Sequence, residues 1–355
     1  MLKPVAAQLA YPFTLVTLFS RFLLTHLDID LLIRENCTDE YNQVLIKAGL
    51  RHLISDDKGK NLCLYASEKM EDLFLNQFIK QSVSIVRAFS GAERELLIYW
   101  LRQIEIANIK TILRGKSMHR DDKSIQAQLF NPGPLTGLPI NELLQAEDVP
   151  EVLRLLENTR YASLAYYTLS RYEQHKEIFG LETSVDQQFF IGLLRRFNTQ
   201  TAENQKKLNP LLGRIIDQIN LVRLLRYRIN YGLSPSHTYF LLSSGGYRLK
   251  QQELLNLVKI QHIENILEQL PLFLSNRLSG RLNGPQKSIQ LINSVMEQDV
   301  INYAQQVLRK ETFSLTSVLA FLIIRRQQLS LIHSILKGKS MHLDEKTIRF
   351  AIGWN

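Results

Sequence analysis

Asn108-Ile-Lys-Thr-Ile-Leu-Arg-Gly-Lys-Ser-Met-His119 recurs near the other end of the chain as Leu331-Ile-His-Ser-Ile-Leu-Lys-Gly-Lys-Ser-Met-His342. At an offset of 223 residues, 11 of the 17 positions from Ile109 to Ile125 are identical to those of the second copy. So dense a match indicates an internal repeat, and a repeat decides the architecture before any short motif does.

A middle copy lies where half of that offset predicts it. Asp217-Gln-Ile-Asn220-Leu-Val-Arg-Leu-Leu-Arg-Tyr-Arg228 matches Glu105-Ile-Ala-Asn108-Ile-Lys-Thr-Ile-Leu-Arg-Gly-Lys116 in its acid, its Asn, its paired aliphatics, its Arg and its final base. We therefore predict three diverged, pseudo-symmetric units of about 112 residues, too long for the short helical solenoids. The predicted limits of the units are residues 1–132, 133–244 and 245–355, with Pro- and Gly-rich linkers at 131–139 and 243–247.

The spacing of apolar residues predicts that every unit is helical. In the first copy one stripe is formed, with steps of three and four, by Leu97, Leu101, Ile104, Asn108 and Ile112. Alternation with period two is missing over any useful length, so the predicted fold is all-α, a funnel-like array of three helical domains.

Glycine predicts where two of the repeated helices end. We expect a stop near Gly115, because glycine readily takes the left-handed conformation just past a helix. In the middle copy Tyr227 stands at that position, so the stop should move on to Gly232 and Pro235.

Composition and charge exclude several classes of protein. With 355 residues, 45% of them hydrophobic, the chain is not disordered. Cys37 and Cys63 form no Cys-x-x-Cys pair, and we expect two reduced thiols.

The apolar run from Pro4 to Ser20 is short and interrupted by Pro12, so it predicts a core helix instead of a signal peptide or membrane span. No later stretch looks long enough to span a bilayer, which predicts a soluble protein.

The residues that could carry catalysis argue against an enzyme. The Gly115-Lys-Ser and Gly338-Lys-Ser triplets lack the earlier glycine and strand of a phosphate-binding loop, and they follow helices, so we expect no nucleotide cofactor. The eight histidines show no metal-ligand spacing. Glu105 with Asn108, and Asp217 with Asn220, pair one acid with one amide, which predicts structural polar contacts instead of a two-carboxylate catalyst.

The net charge of +9 gathers at the repeats. The three equivalent windows, residues 105–123, 217–235 and 328–346, together hold +5 of it. Bases also favour helix ends because of the helix dipole, so part of this excess needs no partner. The remainder predicts an acidic partner: nucleic acid, anionic lipid or an acidic protein surface.

The repeated pattern acid-x-x-Asn-x-x-x-aliphatic-Leu-Arg-x-base resembles that of the C subunits of prokaryotic V-type ATPases and of their eukaryotic relative, the d subunit of the vacuolar proton pump. The run Gly-Gly-x-x-Leu-x-x-x-Glu-Leu at residues 245–254 is similar too, and the resemblance covers roughly residues 90–350. The opening segment departs from the family pattern and keeps only Ser20-Arg21-Phe-Leu-Leu24, and Leu331 replaces the repeated Asn.

The resemblance implies a non-catalytic rotor subunit that needs no cofactor. It would sit on the cytoplasmic face of a ring of membrane proteolipids, peripheral to the membrane, and would hold the central stalk like a socket. ATP turnover would thereby be coupled to the transport of H⁺ or Na⁺. The partners would be the central-stalk subunits and the ring.

The recurring bases are the interface candidates: Arg114, Lys116, Arg226, Arg228, Lys337 and Lys339. Capping of the chain's own helices is the alternative role for each of them. The alternative function is a basic helical repeat that binds nucleic acid or serves as a scaffold. Against nucleic acid, only Tyr227 interleaves with these bases as a stacking aromatic.

Overall fold

The structure is a computed structural model of the chain. It describes residues 5–35, 38–51, 68–175, 178–260, 269–270, 272–278, 285–311 and 313–354. The expectation for Cys37 and Cys63 falls outside these residues.

Helices make up most of the described chain, and no strand occurs among the described residues, so the all-α prediction is confirmed. The first nine α-helices are α1 (Val5–Ser20), α2 (His26–Arg34), α3 (Asp39–Lys47), α4 (Glu68–Arg87), α5 (Gly91–Leu101), α6 (Gln103–Ser117), α7 (Asp122–Gln126), α8 (Ile140–Gln145) and α9 (Val149–Glu157). The others are α10 (Ala162–His175), α11 (Ile178–Asn198), α12 (Ala202–Leu225), α13 (Pro235–Phe240), α14 (Gln251–Leu257), α15 (Leu272–Leu278), α16 (Pro285–Lys310), α17 (Leu315–Ser340) and α18 (Glu345–Ile352).

The chain divides into two compact units. Unit 1 comprises residues 1–89 and 301–355, and unit 2 comprises residues 90–300. The division into three repeat units stays a prediction.

Unit 1 is built around α17, most of whose side chains are buried. Helices α1, α2, α4 and α18 pack against it. Helix α1 contributes Phe13 and Val16 to the core, and the Phe13 ring meets that of Phe313 edge to face at 5.4 Å. This part of the opening run is therefore a core helix, as its interrupted pattern predicts.

Unit 2 contains the first and middle repeat helices, α6 and α12. Helix α11 packs against α5, α6 and α10, and α9 packs against α6 and α10. Buried residues of α12, α14, α15 and α16 form one cluster, which includes Leu224, Leu254, Leu274 and Ile292. In unit 2, α6 and α12 thus pack mainly against helices that come later in the chain.

The two helices end near Gly115 and Gly338, as predicted, but the expectation that glycine is the left-handed residue past each helix is wrong. Helix α6 continues through Gly115 to Ser117, and α17 continues through Gly338 to Ser340. The left-handed residues that follow are His119 (φ 51°) and His342 (φ 56°). The glycines serve close packing: a Cβ on Gly115 would lie 2.5 Å from Cγ1 of Ile125, and one on Gly338 would lie 2.9 Å from Cγ1 of Ile348.

The stripe from Leu97 to Ile112 spans two helices instead of one. Helix α5 ends at Leu101, and α6 begins at Gln103 after a turn at Arg102. The later stop in the middle copy is confirmed: α12 passes into a π-helical turn over Arg226–Asn230, and Gly232 follows with φ 62°.

One described helix, Leu315–Ser340, is long and apolar enough to cross a bilayer, so the expectation that no later stretch has the length is wrong. However, 72% of its 18-residue apolar window is buried inside the protein. Arg325, which is fully buried, donates hydrogen bonds to Gln81 Oε1 and to the carbonyl oxygens of Phe22 and Ala48. These contacts are those of a core helix.

Gly115→Ala should destabilise the protein by about 1–3 kcal/mol, because the new methyl group overpacks against Ile125. Gly180→Ala is the matched control, since no atom lies within 4 Å of the added Cβ in helix α11. It should be neutral or stabilising by about 0.5–1 kcal/mol, from the better helix propensity of alanine. Denaturant unfolding followed by circular dichroism measures both.

The double variant G115A/I125A identifies the cause. If overpacking is responsible, it should lose less stability than the two single variants together. Equal losses from G115A and G180A would contradict this explanation.

Candidate functional site

Two asparagines each hold a loop through both atoms of the side-chain amide. Asn108 donates from Nδ2 to the carbonyl oxygen of Phe130 at 2.7 Å and accepts the Phe130 N–H at 2.8 Å. Asn220 makes the same two bonds to Ser243, at 2.7 and 2.8 Å. Both asparagines are completely buried. A side chain that donates and accepts at once must be an amide here, which explains why Asn recurs.

In each helix an acid lies one turn before the asparagine, and it binds a later residue of the same loop. Glu105 accepts the N–H of Gly137 at 2.5 Å and the hydroxyl of Tyr161. Asp217 accepts the N–H groups of Arg248 at 2.7 Å and Leu249 at 3.1 Å. Burial raises the pKa of Asp217, while these backbone N–H groups lower it by stabilising the carboxylate. The acids and the asparagines thus anchor loops within unit 2.

The third copy replaces the acid by Gln328 and anchors a different segment. Gln328 accepts the N–H of Leu24 at 2.9 Å and donates to its carbonyl oxygen at 2.7 Å. Leu24 lies just ahead of α2, as Gly137 lies just ahead of α8 and Leu249 just ahead of α14. All three repeat helices therefore fix the backbone that leads into a short helix.

Two of the candidate interface bases are used inside the chain in equivalent ways. Lys116, only 8% exposed, donates to Asp122 Oδ1 at 2.7 Å and to the carbonyl oxygen of Leu144 in the last turn of α8. Lys339 donates to the carbonyl oxygen of Glu35, which caps the end of α2. Both lysines bind the carbonyl end of the short helix that their own repeat helix positions.

The other four candidates differ in their surroundings. Arg114 is half exposed and forms an ion pair with Glu182 at 2.5 Å. Arg228 donates to the carbonyl oxygen of Leu233. Arg226 and Lys337 are exposed, and neither side chain forms a hydrogen bond or ion pair with another described residue. These two are the bases that remain available to a partner.

The sequence did not reveal several residues that complete these contacts. Tyr161 lies 56 residues from Glu105, and no short pattern joins the two. Gly246 lets the loop approach Asp217, because a Cβ there would lie 2.4 Å from Asp217 Oδ1. The Gly245-Gly246 pair was the visible signal, although it indicated only a linker.

The described residues offer little to bind a cofactor. They contain no group of three or more His, Cys, Asp or Glu side chains able to hold a metal ion. Gly115-Lys-Ser forms the carboxyl end of α6, which is the negative end of the helix dipole and offers no free N–H groups to a phosphate. A phosphate group would be repelled there.

The fold and these contacts define an all-α protein built on a repeated unit, in which a long helix anchors a loop and a short helix. The chain belongs to the ATP synthase (C/AC39) subunit family, whose family model matches residues 14–350. The resemblance seen in the repeats is thereby confirmed.

Similar proteins are named as C subunits of A-type ATP synthases. The one from Methanocaldococcus jannaschii is 24% identical over 287 residues, covering 80% of this chain and 71% of the relative. The one from Halobacterium salinarum is 24% identical over 311 residues, covering 85% and 84%.

Replacing each anchoring acid of unit 2 by its amide should reduce stability to a different extent at Glu105 and at Asp217. In Glu105→Gln the new Nε2 can donate to the Tyr161 oxygen while Oε1 keeps Gly137, so we expect a loss below about 1 kcal/mol. Both partners of Asp217 are backbone N–H donors. In Asp217→Asn one of them would face the new NH₂ group, which cannot accept its hydrogen bond. We therefore expect the free energy of unfolding to fall by about 1–3 kcal/mol.

Denaturant unfolding measures the difference, with Glu157→Gln on the exposed side of α9 as the control for charge removal. Equal losses for Glu105→Gln and Asp217→Asn would show that the donor pattern of the partners is unimportant.

Proposed function

We propose that the chain is a non-catalytic rotor subunit of an A/V-type ATPase. It serves as a socket that joins the central stalk to the membrane ring, and so couples ATP turnover to the transport of H⁺ or Na⁺. Its partners are the stalk subunits and the proteolipid ring, and it lies on the cytoplasmic face without a membrane span of its own. Family membership and the names of the relatives support this assignment.

The observation that carries the proposal is the set of buried polar anchors in the repeat helices. Torque passes through a protein only if its parts do not slide, and apolar packing alone tolerates sliding more readily than directed hydrogen bonds do. Glu105, Asp217 and Gln328 each fix a loop to a helix at a single register. A mechanical coupler needs this property, and no cofactor.

Peripheral attachment fits the environment of α17. A lipid-facing helix would leave Arg325 and Gln328 without polar partners at a high free-energy cost. Both side chains instead donate to backbone carbonyl oxygens of unit 1. In this proposal the partner surface is protein, and its contacts with the chain include the exposed bases Arg226 and Lys337.

Expression of the ATPase with and without this chain tests the proposal. We expect the chain to co-elute with the stalk and ring subunits. Without it, ATP hydrolysis should persist while ATP-driven uptake of the transported ion, H⁺ or Na⁺, into membrane vesicles is lost. A chain that always elutes alone, or vesicles that pump without it, would refute the socket. Salt-sensitive binding to random DNA or RNA would instead support the nucleic-acid alternative.

Charge reversal at the exposed bases tests the interface. Arg226→Glu and Lys337→Glu should each weaken co-elution, most clearly at low salt, because a like-charged contact replaces an attractive one. Lys206→Glu, an exposed residue near the start of α12, makes the same charge change away from the repeat ends and should elute like wild type. Unchanged elution of both interface variants would rule them out as contacts.

A further inference from the structure

Four arginines of unit 2 lie near one another, and two of them contact the ring of Tyr99. Arg102 lies between α5 and α6, Arg160 lies just ahead of α10, and Arg195 and Arg196 lie in the last turn of α11. The Cζ of Arg196 is 3.9 Å from the centroid of the Tyr99 ring, and that of Arg102 is 5.3 Å from it. We call these four residues the arginine cluster.

Positive charges in the arginine cluster act on one another. Burial lowers the pKa of Arg102, and the nearby guanidinium groups of Arg160 and Arg196 lower it further. Burial raises the pKa of Tyr99, while Arg196, Arg102 and Arg195 oppose that rise. Arg102 and Arg196 therefore lie at the centre of the cluster, with Arg160 near Arg102 and Arg195 near Tyr99.

The arginine cluster has no directly paired acid among the described residues. None of its members forms an ion pair there, and the one side-chain hydrogen bond of the cluster runs from Arg196 to the carbonyl oxygen of Gly192 at 3.0 Å. The Nε of Arg102 is buried without any hydrogen-bond partner. A buried unsatisfied donor next to like charges is costly, and an anion would relieve both costs.

Other half-buried bases of the same unit do have acidic partners. Lys110 pairs with Asp186 at 2.9 Å, and Arg214 pairs with Asp299 at 3.2 Å. The ordinary solution in this unit is thus to supply a carboxylate from the chain. Glu105, the buried acid of this repeat, is directed to Gly137 and Tyr161 and forms no ion pair with the arginine cluster.

We infer that the arginine cluster is a binding site for a carboxylate-rich segment of another protein in the complex, an inference that rests on the proposed function. Guanidinium groups match carboxylates through two parallel hydrogen bonds. Stacking on Tyr99 holds two of these groups in place before a ligand arrives, which lowers the entropy lost on binding. Arg160 and Arg195 are exposed and form the entrance.

Acidic protein fits this site better than a lipid surface does. Membrane-binding basic patches consist of exposed, mobile bases that reach many headgroups. The arginine cluster contains no lysine, and its two central members are half buried between helices. Such a site selects short, directed carboxylates.

Binding of a hexaglutamate peptide to the purified chain tests the site directly. We expect saturable binding that weakens at least about tenfold between about 20 and about 200 mM salt. R102Q/R196Q should weaken it at least about tenfold more, as should R160Q/R195Q, whose exposed positions make misfolding an inadequate explanation. The control R94Q/R154Q removes two exposed arginines of the same unit and should bind like wild type.

The inference would be overturned by no binding at low salt, or by equal binding by wild type and both cluster variants. Binding of inorganic tripolyphosphate or of anionic vesicles without binding of hexaglutamate would also overturn it, in favour of a phosphate ligand.

A photo-crosslinker placed at Arg195 in the assembled complex locates the partner. We expect crosslinks to an Asp- and Glu-rich peptide of another protein in the complex, and crosslinks confined to lipid or to this chain would contradict the inference. Failure of wild type to assemble would refute the proposed function, whereas the peptide assay would still decide the arginine cluster.

Discussion

One kind of hydrogen bond organises the structure, between a buried polar side chain of a repeat helix and the backbone of a loop. A loop pressed against a helical core brings N–H and carbonyl groups that must find partners. Glu105, Asp217 and Gln328 supply those partners, so the loops run close to the core. The short helix after each loop then begins at a fixed place. A shift in register would leave buried polar groups unsatisfied, so these anchors select one arrangement.

The sequence predicted the helices and the recurring acid and amide because a repeat lets a chain be compared with itself. It did not predict the role of Gly115 or the break at Arg102. A glycine in the sequence does not show whether it is needed for a left-handed backbone or for close packing against a neighbour such as Ile125. The choice between these depends on tertiary packing, which apolar spacing does not encode. The break at Arg102 leaves the apolar stripe uninterrupted and so has no signal in the pattern.

The local sequence likewise predicts the roles of some basic residues, while the roles of others depend on tertiary structure. The sequence places excess bases at the repeat ends, and the structure directs Lys116 and Lys339 to carbonyl oxygens of the chain. These contacts satisfy helix ends, as the helix dipole favours. The arginine cluster had no comparable signal, because its members come from three separate stretches of the sequence. The net charge of a sequence window therefore indicates bases that bind helix ends better than it locates an anion-binding site.

The third copy shows why the repeats diverged. Its anchored residue, Leu24, presents both an N–H and a carbonyl oxygen to one side chain, so an amide replaces the acid at Gln328. That amide does the work of the missing Asn, which leaves position 331 free to be Leu. Glu105 and Gly137 are 32 residues apart, whereas Gln328 and Leu24 are 304 apart. Loop closure over so long a span costs more entropy. Unit 1 therefore has this anchor only where α17 packs with the amino-terminal helices, and its rigidity depends on that long-range contact.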